Sequence, residues 1–131
     1  MSPLQLPNEL KKYVDPIAPK CFVYFISEGE YTKIGFARDI EKRLKDLQVA
    51  NPRKLWIVSF VPCLTEYHAR KIEKFLHHSL KFHRVYGEWF KLPACFFVHE
   101  NLSFAVNYDD WRLAQYEMAR RAEYKRKYYN V

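Results

Sequence analysis

Residues 21–27, Cys-Phe-Val-Tyr-Phe-Ile-Ser, form a short apolar run rich in β-formers and free of charge. Such a run predicts a central strand covered on both faces. Ser27-Glu28-Gly29-Glu30 supplies a glycine-containing turn, and Tyr31 to Phe36 returns as a second strand, so the pair reads as a β-hairpin. Asp39 is a suitable N-cap for the helix that follows. In that helix Ile40, Leu44 and Leu47 share one face at helical spacing. It is expected to stop before Asn51-Pro52, because a residue preceding proline is pushed out of the helical region. Residues 55–61 are apolar and β-branched and predict a third strand, ended by Pro62. Thr65 can cap a longer second helix running to about Phe82, with Ala69, Ile72, Leu76 and Leu80 as its stripe. Residues 86–92 read as a turn and a short extended piece, punctuated by Pro93. Residues 93–106 read as a further helical stretch, and Asp109-Asp110 opens a last helix running toward Tyr129.

These elements predict an α+β fold: a small three-stranded antiparallel sheet flanked by helices, with an extra C-terminal helix. The expected boundaries are an N-terminal arm at 1–20, carrying several prolines and one helical turn, a domain at 21–92, and a helical extension at 93–131 packed on that domain. A length of 131 residues suits one domain, and 49% hydrophobic residues with 18% aromatics exclude a disordered chain. Twenty-two Lys and Arg against fifteen Asp and Glu give a net charge of +7, which favours an anionic partner, nucleic acid first. Cys21, Cys63 and Cys95 lie far apart without metal-ligand spacing and read as reduced packing residues of a reducing interior. The chain opens without signal-peptide character and holds no apolar run of ~20 residues. The expectation is a soluble, cytoplasmic protein with no membrane contact.

The candidate chemistry lies in charged residues that interrupt apolar faces. Arg43 falls on the edge of the first helix's stripe, one turn before Leu47, where a guanidinium is partly dry. Glu73 flanks the second helix's stripe, and His77 follows one turn on. Tyr24 stands mid-strand on one face with Phe22 and Ile26. Lys33 sits inside a strand on the Tyr31–Gly35 face, and Gly35 leaves room for a ligand backbone. Each has an ordinary alternative: stripe-edge salt bridges for Arg43 and Glu73, a satisfied surface histidine for His77, core packing for Tyr24, an edge-strand lysine for Lys33. Taken together, a phenol, two cations and a carboxylate on separate elements are what phosphodiester cleavage with one bound metal ion needs.

The order of these residues resembles the GIY-YIG nuclease superfamily over about residues 21–92. Val23-Tyr24-Phe25 stands where the first motif belongs and Lys33-Ile34-Gly35 where the second does. Arg43 follows in Glu41-Lys42-Arg43-Leu44, and Glu73 in Ile72-Glu73-Lys74-Phe75-Leu76-His77. The closing Arg84-x-x-Gly87-Glu88-Trp89-Phe90 is similar to a branch common in phages and some fungal proteins. The sequence departs from the wider pattern in its Lys33, in the lack of a histidine after the second motif, and in the lack of an Asn-ending motif after Glu73.

The resemblance implies a metal-dependent endonuclease cutting nucleic acid, DNA ahead of RNA. Glu73 would hold one Mg²⁺ or Mn²⁺, Arg43 would contact the scissile phosphate, and Tyr24 would orient or deprotonate the attacking water. Lys33 would stabilise the phenolate or hold the water, and His77 would support Glu73 or donate to the substrate. Glu88 reads as structural, tying down Arg84. Arg38, Arg43, Arg84, Arg120, Arg121, Lys125 and Arg126 are the expected nucleic-acid contacts. In the tail the cations alternate with tyrosines, which suits either an affinity-adding helix or a solvated one packed through Trp111 and Tyr116. A protein partner could direct targeting, and a monomer or weak dimer is expected. The competing reading is a catalytically inactive fold serving in nucleic-acid binding or as a phage accessory protein.

Overall fold

β1 (Cys21–Ser27) lies inside the sheet, hydrogen-bonded on one side to β2 (Thr32–Ala37) and on the other to β3 (Trp56–Cys63), both antiparallel. This computed structural model describes residues 4–129; positions 1–3 of the expected arm and 130–131 of the tail lie outside them. Both faces of β1 are covered, as its uncharged sequence requires. Val23, Phe25, Ile34 and Val61 pack with Ala69, Ile72 and Leu76 of α3 (Glu66–Ser79). Tyr24, Ile26, Ile57 and Phe60 form a second cluster on the opposite side, with Ile40 of α2 (Ile40–Val49). Burial of each large apolar side chain here contributes about 1.5–3 kcal/mol. Asp39 caps α2 by accepting from the Lys42 amide at 3.0 Å, and Thr65 caps α3 by accepting from His68 at 3.3 Å.

The mixed architecture and its antiparallel sheet match expectation, but the sheet has six strands in the order β4-β5-β2-β1-β3-β6. β4 (Arg84–Tyr86), β5 (Trp89–Phe90) and β6 (Val106–Asn107) are two or three residues long, too short to show alternation in a sequence. β3 also runs through Pro62 instead of ending there. The Pro62 carbonyl accepts from Asp15 at 2.9 Å, on the side facing away from β1. Its nitrogen shares that side, so no ladder donor toward β1 is lost. The N-terminal segment occupies this edge: α1 (Asn8–Lys11) precedes a bridge from Val14 to Cys63, and Leu6 is buried.

The stretch after Pro93 is not a continuous helix. A 3₁₀ turn at Ala94–Phe97 gives way to turns and then β6, and Phe97, Leu102 and Ala105 are buried against the sheet. α4 (Tyr108–Tyr129) attaches through Tyr108 and Trp111, whose ring meets Phe60 edge-on at 5.7 Å. Residues 112–129 are all exposed, Tyr116 at 61% among them, so the expected packing of the extension is limited to its start. Cations distributed around the whole circumference leave that helix no apolar stripe to bury. Of the cysteines, Cys21 and Cys63 are buried register partners and Cys95 is exposed; burial pushes the Cys63 thiol up to about 12. No described helix is long and apolar enough to cross a membrane.

Candidate functional site

The candidate residues come from both faces of the sheet and meet around the outer edge of β2. Tyr24 and Gly35 are register partners on β1 and β2. A Cβ built on Gly35 would lie 2.6 Å from the Tyr24 ring carbon bearing the hydroxyl and 3.0 Å from Glu88 Oε2. The space at Gly35 is therefore taken by the protein's own phenol and carboxylate, a correction to the expectation that a ligand backbone would fill it. From α2, Arg43 reaches in and its Nε donates to the Tyr24 hydroxyl at 3.4 Å. Arg43 is exposed overall rather than partly dry, with its Nε reaching inward to Tyr24. No carboxylate pairs with it among the described residues, which leaves its terminal amino groups open to an anion.

β5 pairs with β2 only at Thr32 and Lys33, and the Glu88 carbonyl takes the Ile34 amide at 3.0 Å. Past that point no strand among the described residues continues the ladder. His77 of α3 completes it: Nε2 lies 2.8 Å from the Ile34 carbonyl, which can only accept, so Nε2 carries the proton. The same nitrogen is 3.6 Å from Glu73 Oε1. His77 thus ties the acid's helix to the strand edge. Its Nε2 proton also removes that nitrogen as a metal ligand, although a ring nitrogen of His77 lies within 4.8 Å of ligand atoms on both Glu73 and Glu88.

Glu88 is the residue the sequence analysis misplaced. Arg84 does not pair with it; Arg84 Nε donates to the Gly87 carbonyl at 2.6 Å across a turn in which Gly87 holds φ +54°. The Glu88 carboxylate instead meets the Lys33 ammonium at 3.5 Å, and Lys33, only 11% exposed, lies 5.6 Å from the Trp89 ring centroid. The available signal was an acid one residue before a strand that pairs with Lys33.

Burial first, then the adjacent Glu88 charge, pushes the Glu73 carboxyl up to about 7, against the pull of Lys33 and Arg70. Glu88 is paired with Lys33, whereas Glu73 Oε2 is buried and has no hydrogen-bond partner. This donor set fits a divalent cation, whose charge would offset both acids. Burial also pushes the Tyr24 phenol above its ordinary value of 10, outweighing the hydrogen bond from Arg43. Lys33 is engaged by Glu88, so the expectation that cations would generate a phenolate at Tyr24 is corrected.

The expected nucleic-acid contacts are scattered. Arg38 is exposed but bound to Glu66 at 3.3 Å, and Arg84 is committed to its own turn. Arg120, Arg121, Lys125 and Arg126 stand on the solvated length of α4, with Arg120 3.9 Å from Glu117.

Residues 21–109 match the family described as T5orf172 domain. That span exceeds half of the 131 residues, and the chain belongs to the T5orf172 domain family. The match replaces the GIY-YIG superfamily that the motifs resemble. Val23-Tyr24-Phe25 and Lys33-Ile34-Gly35 are three-residue words, of a kind that any paired strands carrying a buried tyrosine over a glycine can show. No curated protein matches the chain, and no solved structure matches it.

Proposed function

We propose that this T5orf172-domain protein is a metal-dependent endonuclease that hydrolyses phosphodiester bonds in nucleic acid, DNA in the first place. The observation that carries the reading is the buried, unpartnered Glu73 Oε2 beside Glu88, a pair of acids left incomplete without a cation. Glu73 and Glu88 would hold one Mg²⁺ or Mn²⁺, with phosphate oxygens and water filling the remaining positions. Such an ion supplies charge neutralisation at the phosphate and polarises its oxygens.

The protein's own groups do the rest. Arg43 offers its free terminal amino groups to the non-bridging oxygens, while Nε stays on Tyr24. Tyr24 remains a neutral phenol: its oxygen accepts from Arg43 and, through its second lone pair, would accept from the attacking water and fix its direction. Lys33 holds Glu88 in place and adds positive charge beside the phosphate. His77 fixes the acid's helix against β2. The basic surface of α4, six cations against two carboxylates over residues 112–129, adds sequence-independent attraction.

The test is nicking of supercoiled plasmid with Mg²⁺ or Mn²⁺ by wild type and Glu73→Gln. The variant should lose nicking while still unfolding cooperatively, as a folded protein does. Manganese should broaden NMR signals around Glu73 and Glu88 in wild type only. Equal nicking by both proteins, or no manganese response in wild type, would refute the proposal.

A further inference from the structure

A concave site lies beside this centre and shares Trp89 with it. The cavity, about 370 Å³, is lined by Tyr31, Tyr86 and Trp89 together with Asn51 and Arg53. It forms where the β4–β5 hairpin, the β1–β2 turn and the loop after α2 meet. Its volume falls in the range of pockets that take small organic ligands, about 300–1,000 Å³.

The polar rim is held in place by the fold. Glu28, whose side chain is only 7% exposed, accepts the Glu30 and Tyr31 amides on Oε1 at 2.9 and 2.8 Å. Its Oε2 takes Arg53 Nη1 at 2.7 Å, fixing the guanidinium and leaving its other donors for a ligand. Asn51 Oδ1 accepts the Arg53 amide at 3.0 Å, which leaves the Asn51 amide nitrogen as a further donor. Tyr86, a large ring at the mouth of the cavity, is 70% exposed. Flat aromatic walls with donors on one rim match a planar heterocycle with acceptors on its edge, which describes a nucleobase.

Trp89 joins the two sites. It lines this cavity and also lies under the Lys33 ammonium, which contacts Glu88. A strand whose phosphate sits at Arg43 and Lys33 would carry a neighbouring base to Trp89. We propose that the cavity bounded by Tyr31, Tyr86 and Trp89 holds an unstacked nucleobase of the strand being cut, next to the phosphate at the Glu73–Glu88 centre. This rests on the nuclease reading above and adds to it a substrate class: single-stranded or locally opened nucleic acid, since a base must leave its own stack to enter.

The experiment separates base recognition from phosphate attraction, without metal and so without cleavage. Fluorescence anisotropy compares a single-stranded oligothymidylate of about eight nucleotides with an abasic strand of equal phosphate count. Wild type should bind the base-bearing strand about tenfold more tightly. Tyr86→Ala, a change at an exposed ring that leaves the core intact, should erase that difference and keep the salt-dependent binding common to both strands. Asn51→Ala should shrink it. Equal affinity of wild type for the two strands, or a tenfold gain that survives Tyr86→Ala, would overturn the proposal while leaving the nuclease reading standing. Failure of wild type to bind either strand would overturn the proposal as well, whereas the nuclease reading stands or falls on nicking with Mg²⁺ or Mn²⁺.

Discussion

The Glu73 centre and the projecting length of α4 carry charge in opposite ways. At the centre Lys33 is held by Glu88, Arg43 by Tyr24 and His77 by the Ile34 carbonyl, while Glu73 keeps a buried, unpartnered oxygen. Along residues 112–129 every side chain is exposed, and roughly 27 Å of helix at 1.5 Å per residue carries its cations into solvent. Fixed charges in a partly dry setting can single out one phosphate, because their geometry is set before the ligand arrives. Solvated charges on a free helix attract any polyanion and are weakened by salt. Precision and reach therefore belong to different regions of this chain, and substitutions should separate them.

The largest effect is expected at Arg43. Arg43→Ala should lower the nicking rate by about 10²–10³-fold, the cost of removing one preorganised donor, with binding changed far less. Arg43→Lys should not restore it, since a point charge cannot hold Tyr24 and a phosphate at once. Single-turnover rates with titrated DNA would check both. Gly35→Ala comes next. The new methyl would overlap the Tyr24 hydroxyl, and Tyr24 is buried and cannot retreat. A loss of about a hundredfold in rate and about 1–3 kcal/mol in stability is expected, read by kinetics and urea unfolding.

The other side of the comparison is tested by replacing Arg120, Arg121, Lys125 and Arg126 together with Gln. Affinity for duplex DNA should fall about tenfold at physiological salt and the slope of log K against log salt should flatten, while the rate at saturation stays the same. A drop in saturated rate would show that α4 helps to build the centre.

The smallest effect concerns pH. Folded Glu73 keeps its proton up to about 7, against an ordinary value of 4.5. The folded state holds the extra proton between those values, so the stability this group contributes is complete below 4.5 and is lost as pH rises through about 7. Glu73→Gln should melt with wild type near pH 4.5 and above it at higher pH, by calorimetry without metal. A constant difference across that range would show that Glu73 ionises as in water.

The long elements could be read from sequence because their signals are local. Asp39 and Thr65 are caps, the stripe from Ala69 to Leu76 is periodic, and β1 has no charge. What escaped depends on contacts distant in the chain. β4, β5 and β6 exist because they extend an edge already formed. Pro62 stays within a strand because its nitrogen faces away from β1, on the side where Asp15 meets its carbonyl. In the site, Tyr24, Lys33, Arg43 and Glu73 were found because each is an odd residue on an apolar face. Glu88 was named but given the wrong partner, Arg84, because it sits in a polar turn where nothing points to Lys33 until β5 brings the two together. The family assignment failed for a related reason: short words recur wherever the same packing problem is solved.

His77 also bears on how the protein keeps to itself. The Ile34 carbonyl lies where the β2 ladder runs out, and a bare acceptor there would invite a strand from another molecule. The imidazole seals that vacancy. His77→Ala should therefore reopen the border to intermolecular pairing, and slow self-association on storage would be its mark.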